Sequence, residues 1–202
     1  AHIAIIRQKK DPMPLLKSHA LARLFLLMLA LSLSPGIVRA QLLDAPPLID
    51  AVARGNMEDV QKAFLAGASA NIRGQNRYTA LMLAASQGAV DIVTLLLSRG
   101  AIVDLLDGAG NTALVHAALN NHDQVIILLL GADAMIDRGN KQGETALMRA
   151  AGAGSDNAVA GLLAAGADPT LTDFTGRTAF DRALENRRKR VTAIFRKAGI
   201  DH

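Results

Sequence analysis

Thr79-Ala80-Leu81, Thr112-Ala113-Leu114, Thr145-Ala146-Leu147 and Thr178-Ala179-Phe180 recur every 33 residues, and one further step back lands on Pro46-Pro47-Leu48. Twenty-one residues beyond each start stand Gly67, Gly100, Asp133, Gly166 and Gly199, the first four followed by Ala and the last by Ile200. Five units without a register slip predict a stacked array, in which each unit covers an apolar flank of its neighbour. In the second unit Thr79 is placed to begin a helix through Ala84-Ala85-Ser86-Gln87, its hydroxyl satisfying a free amide at the helix start. Gly88 ends that helix as a left-handed cap. Asp91 then opens a second helix along Ile92-Val93-Thr94-Leu95-Leu96-Leu97, Gly100 stops it, and Ala101-Ile102-Val103-Asp104 leads out. The small pairs Ala84-Ala85, Ala117-Ala118 and Ala150-Ala151 let helices approach closely, and the leucine runs fill the space between units.

Working outward, Asp107 with Gly110, Asn140 with Gly143, and Asp173 with Gly176 precede their Thr-Ala pairs at matching distances. The run Asp-x-x-Gly-x-Thr-Ala-Leu, then Ala-Ala, Leu-Leu and Gly-Ala-Asp resembles the ankyrin repeat across residues 46–202. The resemblance implies an all-α ankyrin-repeat solenoid of five 33-residue helix-turn-helix units with hairpin-like loops, starting near 41, 74, 107, 140 and 173. Units two to five have Ala where the motif has Pro, and Ile49, Met82, Val115, Met148 and Asp181 replace its His. Asp133 and Asn121 stand where Gly is usual, which is tolerable because both residue types enter the left-handed region more readily than most.

Half of the chain is hydrophobic but only 3% aromatic, a balance that suits closely packed helices built on Ala and Leu. There is no Cys, which removes disulfides, thiolate metal sites and thiol nucleophiles together. The overall charge is misleading. Residues 1–40 hold six basic side chains against Asp11 alone, whereas residues 41–202 hold sixteen basic and seventeen acidic ones. Residues 1–40 have the parts of a secretory signal peptide: Lys17 and Arg23, the apolar run 24–33, the breaker Pro35-Gly36, and Val38-Arg39-Ala40 before Gln41. Met13 is the natural initiator and cleavage is expected after Ala40. The apolar run falls short of the roughly 20 residues a membrane span needs. Residues 41–202 are therefore expected in the periplasm or outside the cell.

Catalytic signatures do not assemble. Gly152-Ala153-Gly154-Ser155-Asp156 lacks the Lys and the strand-to-helix setting that a phosphate loop or a nucleophile elbow requires, and reads as an inter-helix turn. His116 and His122 stand six apart, off the i, i+4 spacing of a helical metal pair, and read as ordinary helix and turn positions. No enzyme, cofactor or metal is expected. At the ends, Asn56, Glu58, Asp59, Gln61 and Lys62 dilute the apolar surface of the first unit, and Arg187-Arg188-Lys189-Arg190 occupies the inter-helix turn of the last. Residues 41–181 carry nine basic and fifteen acidic side chains, and residues 182–202 carry seven and two, so an acidic body ends in a basic cap. That cap is expected to be a solvated terminus, with an acidic protein or a membrane surface as its alternative contact. Nucleic acid is not expected, since stacking aromatics are missing.

Ankyrin proteins use a concave strip, made of hairpin tips and the outward side of each first helix, to hold a protein partner. The resemblance carries that role onto Arg73, Gln75, Asn76, Tyr78, Ser86 and Gln87 of the second unit, and Leu106, Asn111, Leu119 and Asn120 of the third. Lys141, Gln142 and Glu144 continue the strip, and Phe174 with Arg177 closes it. Tyr78, Leu106, Leu119 and Phe174 are expected to face water as apolar anchors among polar neighbours, an arrangement similar to an interface hot spot; the competing placement packs Leu106 and Leu119 against the next unit. The expected function is a monomeric protein-binding scaffold, an accessory or neutralising factor for an envelope enzyme or toxin. The alternative is a structural envelope linker, or self-association, acting through the basic cap.

Overall fold

A computed structural model describes residues 46–201 of the 202-residue chain. The expected leader, the Met13 start, the cleavage point after Ala40 and the first residues of unit one fall outside that range. The described residues form five helix pairs: α1 (Pro47–Ala53) with α2 (Met57–Leu65), α3 (Ala80–Gln87) with α4 (Val90–Ser98), α5 (Ala113–Leu119) with α6 (Asp123–Gly131), α7 (Ala146–Ala153) with α8 (Asp156–Ala164), and α9 (Ala179–Glu185) with α10 (Lys189–Lys197). The all-α ankyrin-type architecture expected from the repeat is the one observed. No helix among the described residues is long and apolar enough to cross a membrane.

Local chemistry explains each pair. The hydroxyls of Thr79, Thr112, Thr145 and Thr178 accept from the amides of Met82, Val115, Met148 and Asp181, capping α3, α5, α7 and α9. α1 has no such cap and begins instead with Pro47, whose fixed φ suits the first helical position. Asn121 and Asp133 adopt φ of 63° and 60°, so they replace Gly in the left-handed turns as expected; Arg187 does the same at 55°. The second helix of unit two starts at Val90, one residue before the expected Asp91. Asp91 thereby sits in the first turn, where its charge complements the helix dipole.

The core is one continuous row. Leu48, Leu81, Leu114, Leu147 and Phe180 share a register and are all buried, and Ala84, Ala85, Ala117, Ala118, Ala150 and Ala151 are closed off beside them. Two hydrogen-bond seams tie unit to unit at the same 33-residue step. Behind the second helices, the side chains of Asn71, Asp104 and Asp137 accept from the amides of Ile102, Met135 and Asp168 at 2.8, 3.1 and 3.0 Å. At the inter-helix turns, His122, Ser155 and Arg188 bond the carbonyls of Ser86, Leu119 and Gly152 at 3.1, 2.9 and 3.0 Å, satisfying acceptors that a helix end leaves open.

The end units are polar on the flank that lacks a described neighbour. Arg54 pairs with Asp50 and Asp59, and Lys62 pairs with Glu58, across α1 and α2. In the last unit Arg196 stands where Leu163 stands in the fourth, and its guanidinium lies 5.9 Å from the centre of the Phe180 ring.

Candidate protein-binding surface

The loops between units are built by one acceptor each. Oδ1 of Asp107 accepts from the amides of Ala109 and Asn111, Oδ1 of Asn140 from those of Gln142 and Glu144, and Oδ1 of Asp173 from those of Thr175 and Arg177, at 2.8–3.1 Å. Gly74 has no side chain to do this in the second unit. Its loop closes as a single 3-10 turn, Gln75–Arg77, with Asn76 and Arg77 at φ of 51° and 62°. The turn is locked by a 2.8 Å bond from the Gly74 amide to the Tyr78 carbonyl.

The loop tips are then stitched together. The amides of Gly108, Lys141 and Phe174 donate to the carbonyls of Asn76, Ala109 and Gln142 at 2.6, 3.2 and 3.0 Å. Arg73 reaches the Leu106 carbonyl at 2.8 Å, and the Lys141 ammonium reaches the Gly108 carbonyl at 2.7 Å. The result is a rail of backbone running from Asn76 to Phe174. Its exposed side chains include Gln75, Asn76, Arg77, Lys141, Gln142 and Phe174, the last with 80% of its surface in solvent.

A model of ankyrin repeats in three copies matches residues 48–138, and one of ankyrin repeats in many copies matches residues 131–183. This region belongs to the ankyrin-repeat family. A search of curated proteins found no match. Ankyrin repeats mediate protein–protein interaction, and ankyrin domains are generally non-catalytic binding scaffolds.

Within the ankyrin stack, four of the expected contact residues sit elsewhere than expected. Tyr78, Asn111, Glu144 and Arg177 occupy one register and form a polar spine beneath the rail. The Tyr78 hydroxyl and Nδ1 of His116 lie 2.9 Å apart, and Nε2 of His116 lies 2.9 Å from Oδ2 of Asp107. The Asn111 amide nitrogen donates to the same Asp107 oxygen, and Asn140 donates to both Asn111 and Glu144 at 2.9 Å. Arg182 bridges Glu144 to Asp173 at 2.5 Å each, and Arg177 joins Asp173 to Glu185 at 3.2 Å each. Tyr78 is therefore not a water-facing anchor: its ring packs 4.7 Å from the His116 ring, and half-burial pushes its hydroxyl pKa upward. Glu144 is buried, and Asn111 and Arg177 are half-buried and hydrogen-bonded within the spine.

The remaining residues divide. Leu106 and Leu119 are half-buried, which corrects their expected exposure. Ser86 is half-buried and donates to the Leu83 carbonyl, whereas Gln87 and Asn120 are exposed and donate to the carbonyls of Ala53 and His116. Arg73 is half-buried as part of the rail. Of the four large residues, Phe174 alone is exposed.

Sequence reasoning read His116 as an ordinary helix position and did not single out Arg149 or Arg182. The signal was present in their 33-residue spacing: His116 meets Asp107 and Arg182 meets Asp173, each nine positions back, whereas Arg149 pairs with Glu144. Burial lowers the His116 pKa and the nearby Arg149 charge adds to this, while Asp107 opposes them. Asp107 is pushed up by burial, but bonds from Asn111, His116 and Ala109 more than offset this and hold it below the ordinary carboxylate range. For Asp173, the same burial effect is overcome by Thr175, Arg177 and Arg182, and its pKa lies far below that range. Both His116 nitrogens and the Asp107 carboxylate are taken up inside the spine, which stiffens the rail above it. Among the described residues no group of three or more His, Asp or Glu side chains gathers as a metal site.

Proposed function

We propose that this chain is an exported, non-catalytic scaffold that holds a folded partner protein along the Asn76–Phe174 rail. One observation carries this reading. An aromatic ring left 80% exposed stands at the end of a hydrogen-bonded rail, flanked by the exposed polar side chains of Lys141 and Gln142. The Phe174 ring lies over Gly143, where an added Cβ would come within 2.8 Å of it. A large apolar group presented on locked backbone lowers the ordering cost of association, and burying it in a partner's pocket supplies binding energy. The chain acts as a monomer without a cofactor, as an accessory or neutralising factor for an envelope enzyme or toxin. Export is supported by the basic start, apolar run and small-residue cleavage pattern of residues 17–40.

The test compares wild type with Phe174→Ala and with Phe174→Ala/Lys141→Ala/Gln142→Ala, each used to capture proteins from an envelope extract for mass spectrometry. The expected result is one enriched protein with wild type, lost with the triple variant while the melting temperature is unchanged. Undiminished capture by the triple variant would sink the reading. Separately, N-terminal sequencing of the protein recovered from the periplasm is expected to begin at Gln41, and retention in the cytoplasm would refute export.

A further inference from the structure

Arg187 and Arg188 lie in the turn between α9 and α10 and Lys189 and Arg190 open α10, at the far end of α9 from the rail, and all four are exposed. With Gly154 and Val191 they line a cleft of about 280 Å³. The corresponding turns carry the opposite charge: Glu58 and Asp59, Asp91, Asp123, and Asp156 stand in the first turns of α2, α4, α6 and α8, whereas the first turn of α10 holds no acid. Cations at a helix start run against the helix dipole, and packed beside one another they repel. The stack offers them little relief. Arg190 reaches Asp156 only at 3.7 Å, and no carboxylate of the described residues pairs with Arg187 or Lys189.

The backbone of Arg187 and the side chain of Arg188 are also held in place. Arg187 takes φ of 55° at the position where Gly55, Gly88 and Gly154 stand in other units, a conformation that an ordinary L-residue disfavours. The methylenes of Arg188 lie against Gly154, where a Cβ would fall 2.9 Å from its Cδ, and its Nε is fixed on the Gly152 carbonyl at 3.0 Å. That anchoring leaves the two terminal nitrogens of Arg188 to face a ligand. A cleft with three guanidinium groups and an ammonium suits an anion of concentrated charge with several acceptor oxygens, because guanidinium forks meet phosphate oxygens in pairs. We propose that this cleft binds a dianionic phosphate group, supplied either as a soluble phosphate or on a lipid headgroup.

The test titrates the full ¹⁵N-labelled chain with inorganic phosphate, chloride holding the ionic strength constant. Sedimentation with phosphatidylcholine vesicles, with and without phosphatidate, forms the second arm. Saturable amide shifts are expected at Gly154 and residues 187–191. Arg187→Gly/Arg190→Gln is expected to weaken binding at least about tenfold, since each lost charge-assisted bond removes that much. Gly at 187 retains the left-handed turn, so the melting temperature of the variant reports whether the fold is intact. Saturation by phosphate without vesicle binding assigns a soluble source; phosphatidate-dependent sedimentation assigns a headgroup. Shifts reproduced by chloride alone, or equal affinity in the double variant, overturn the proposal.

Discussion

Replacing Arg182 with Met tests whether the polar spine holds the last two units together. Its guanidinium is 12% exposed and bridges Glu144, 10% exposed, to Asp173, 1% exposed. Removing one partner of a buried ion pair costs about 3–5 kcal/mol, because the other charge is left without compensation. Asp173 keeps Arg177, the Thr175 hydroxyl and two backbone amides, and Glu144 keeps Asn140 and Arg149, so the expected loss lies near the low end, about 3 kcal/mol. With a urea slope of about 2 kcal/mol per molar, the unfolding midpoint followed by circular dichroism at pH 7 drops by about 1.5 M. The pH dependence supplies a second reading. The folded pKa of Asp173 is depressed, so its stabilisation is present above the unfolded value of about 3.9 and is lost as pH falls through the folded value. In the variant, which lacks the Arg182 contribution, the Asp173 pKa is less depressed, so the gap between variant and wild type narrows toward pH 3. An unshifted midpoint at pH 7, or a gap equally wide at both pH values, would refute the reasoning.

Leu96→Ala, fully buried in α4, is expected to cost about 2–5 kcal/mol in chemical denaturation while leaving partner capture along the rail intact. Tyr78→Phe removes the hydroxyl bonded to His116 and is expected to cost about 1 kcal/mol by the same assay. The His116 ring, followed by NMR, is expected to titrate below the ordinary value of about 6.5. Because the folded form resists protonation there, its contribution to stability is fully present above that value and falls as pH drops toward the folded pKa. Asp133→Gly places at φ 60° the residue type that other units use, and is expected to raise stability by up to about 1 kcal/mol.

How far the chain could be read in advance differs between fold and surface. The Thr caps, the left-handed Asn121 and Asp133, and the buried alanine pairs all followed from spacing, because each depends on residues within a few positions. The site was less legible. Tyr78 and Phe174 are both rings near a loop tip, yet one is tucked against His116 and the other stands in solvent. The difference arises from His116 and Asp107, 38 and 29 positions beyond Tyr78, and from Gly143, which leaves room for Phe174 to lie across it.

Sequence alone determined the number of units, their length, their helices and the row of residues that closes the core, since a strict period repeats one local solution five times. Which member of a given register points inward was decided only by stacking. Tyr78, Asn111, Glu144 and Arg177 each find their partners on a neighbouring unit or across their own loop, and a polar group near an apolar core turns toward whatever can satisfy it. The pairings of Tyr78 with His116, Asn111 with Asn140 and Glu144 with Arg182 join side chains about one repeat apart, so they exist only once the units are laid side by side.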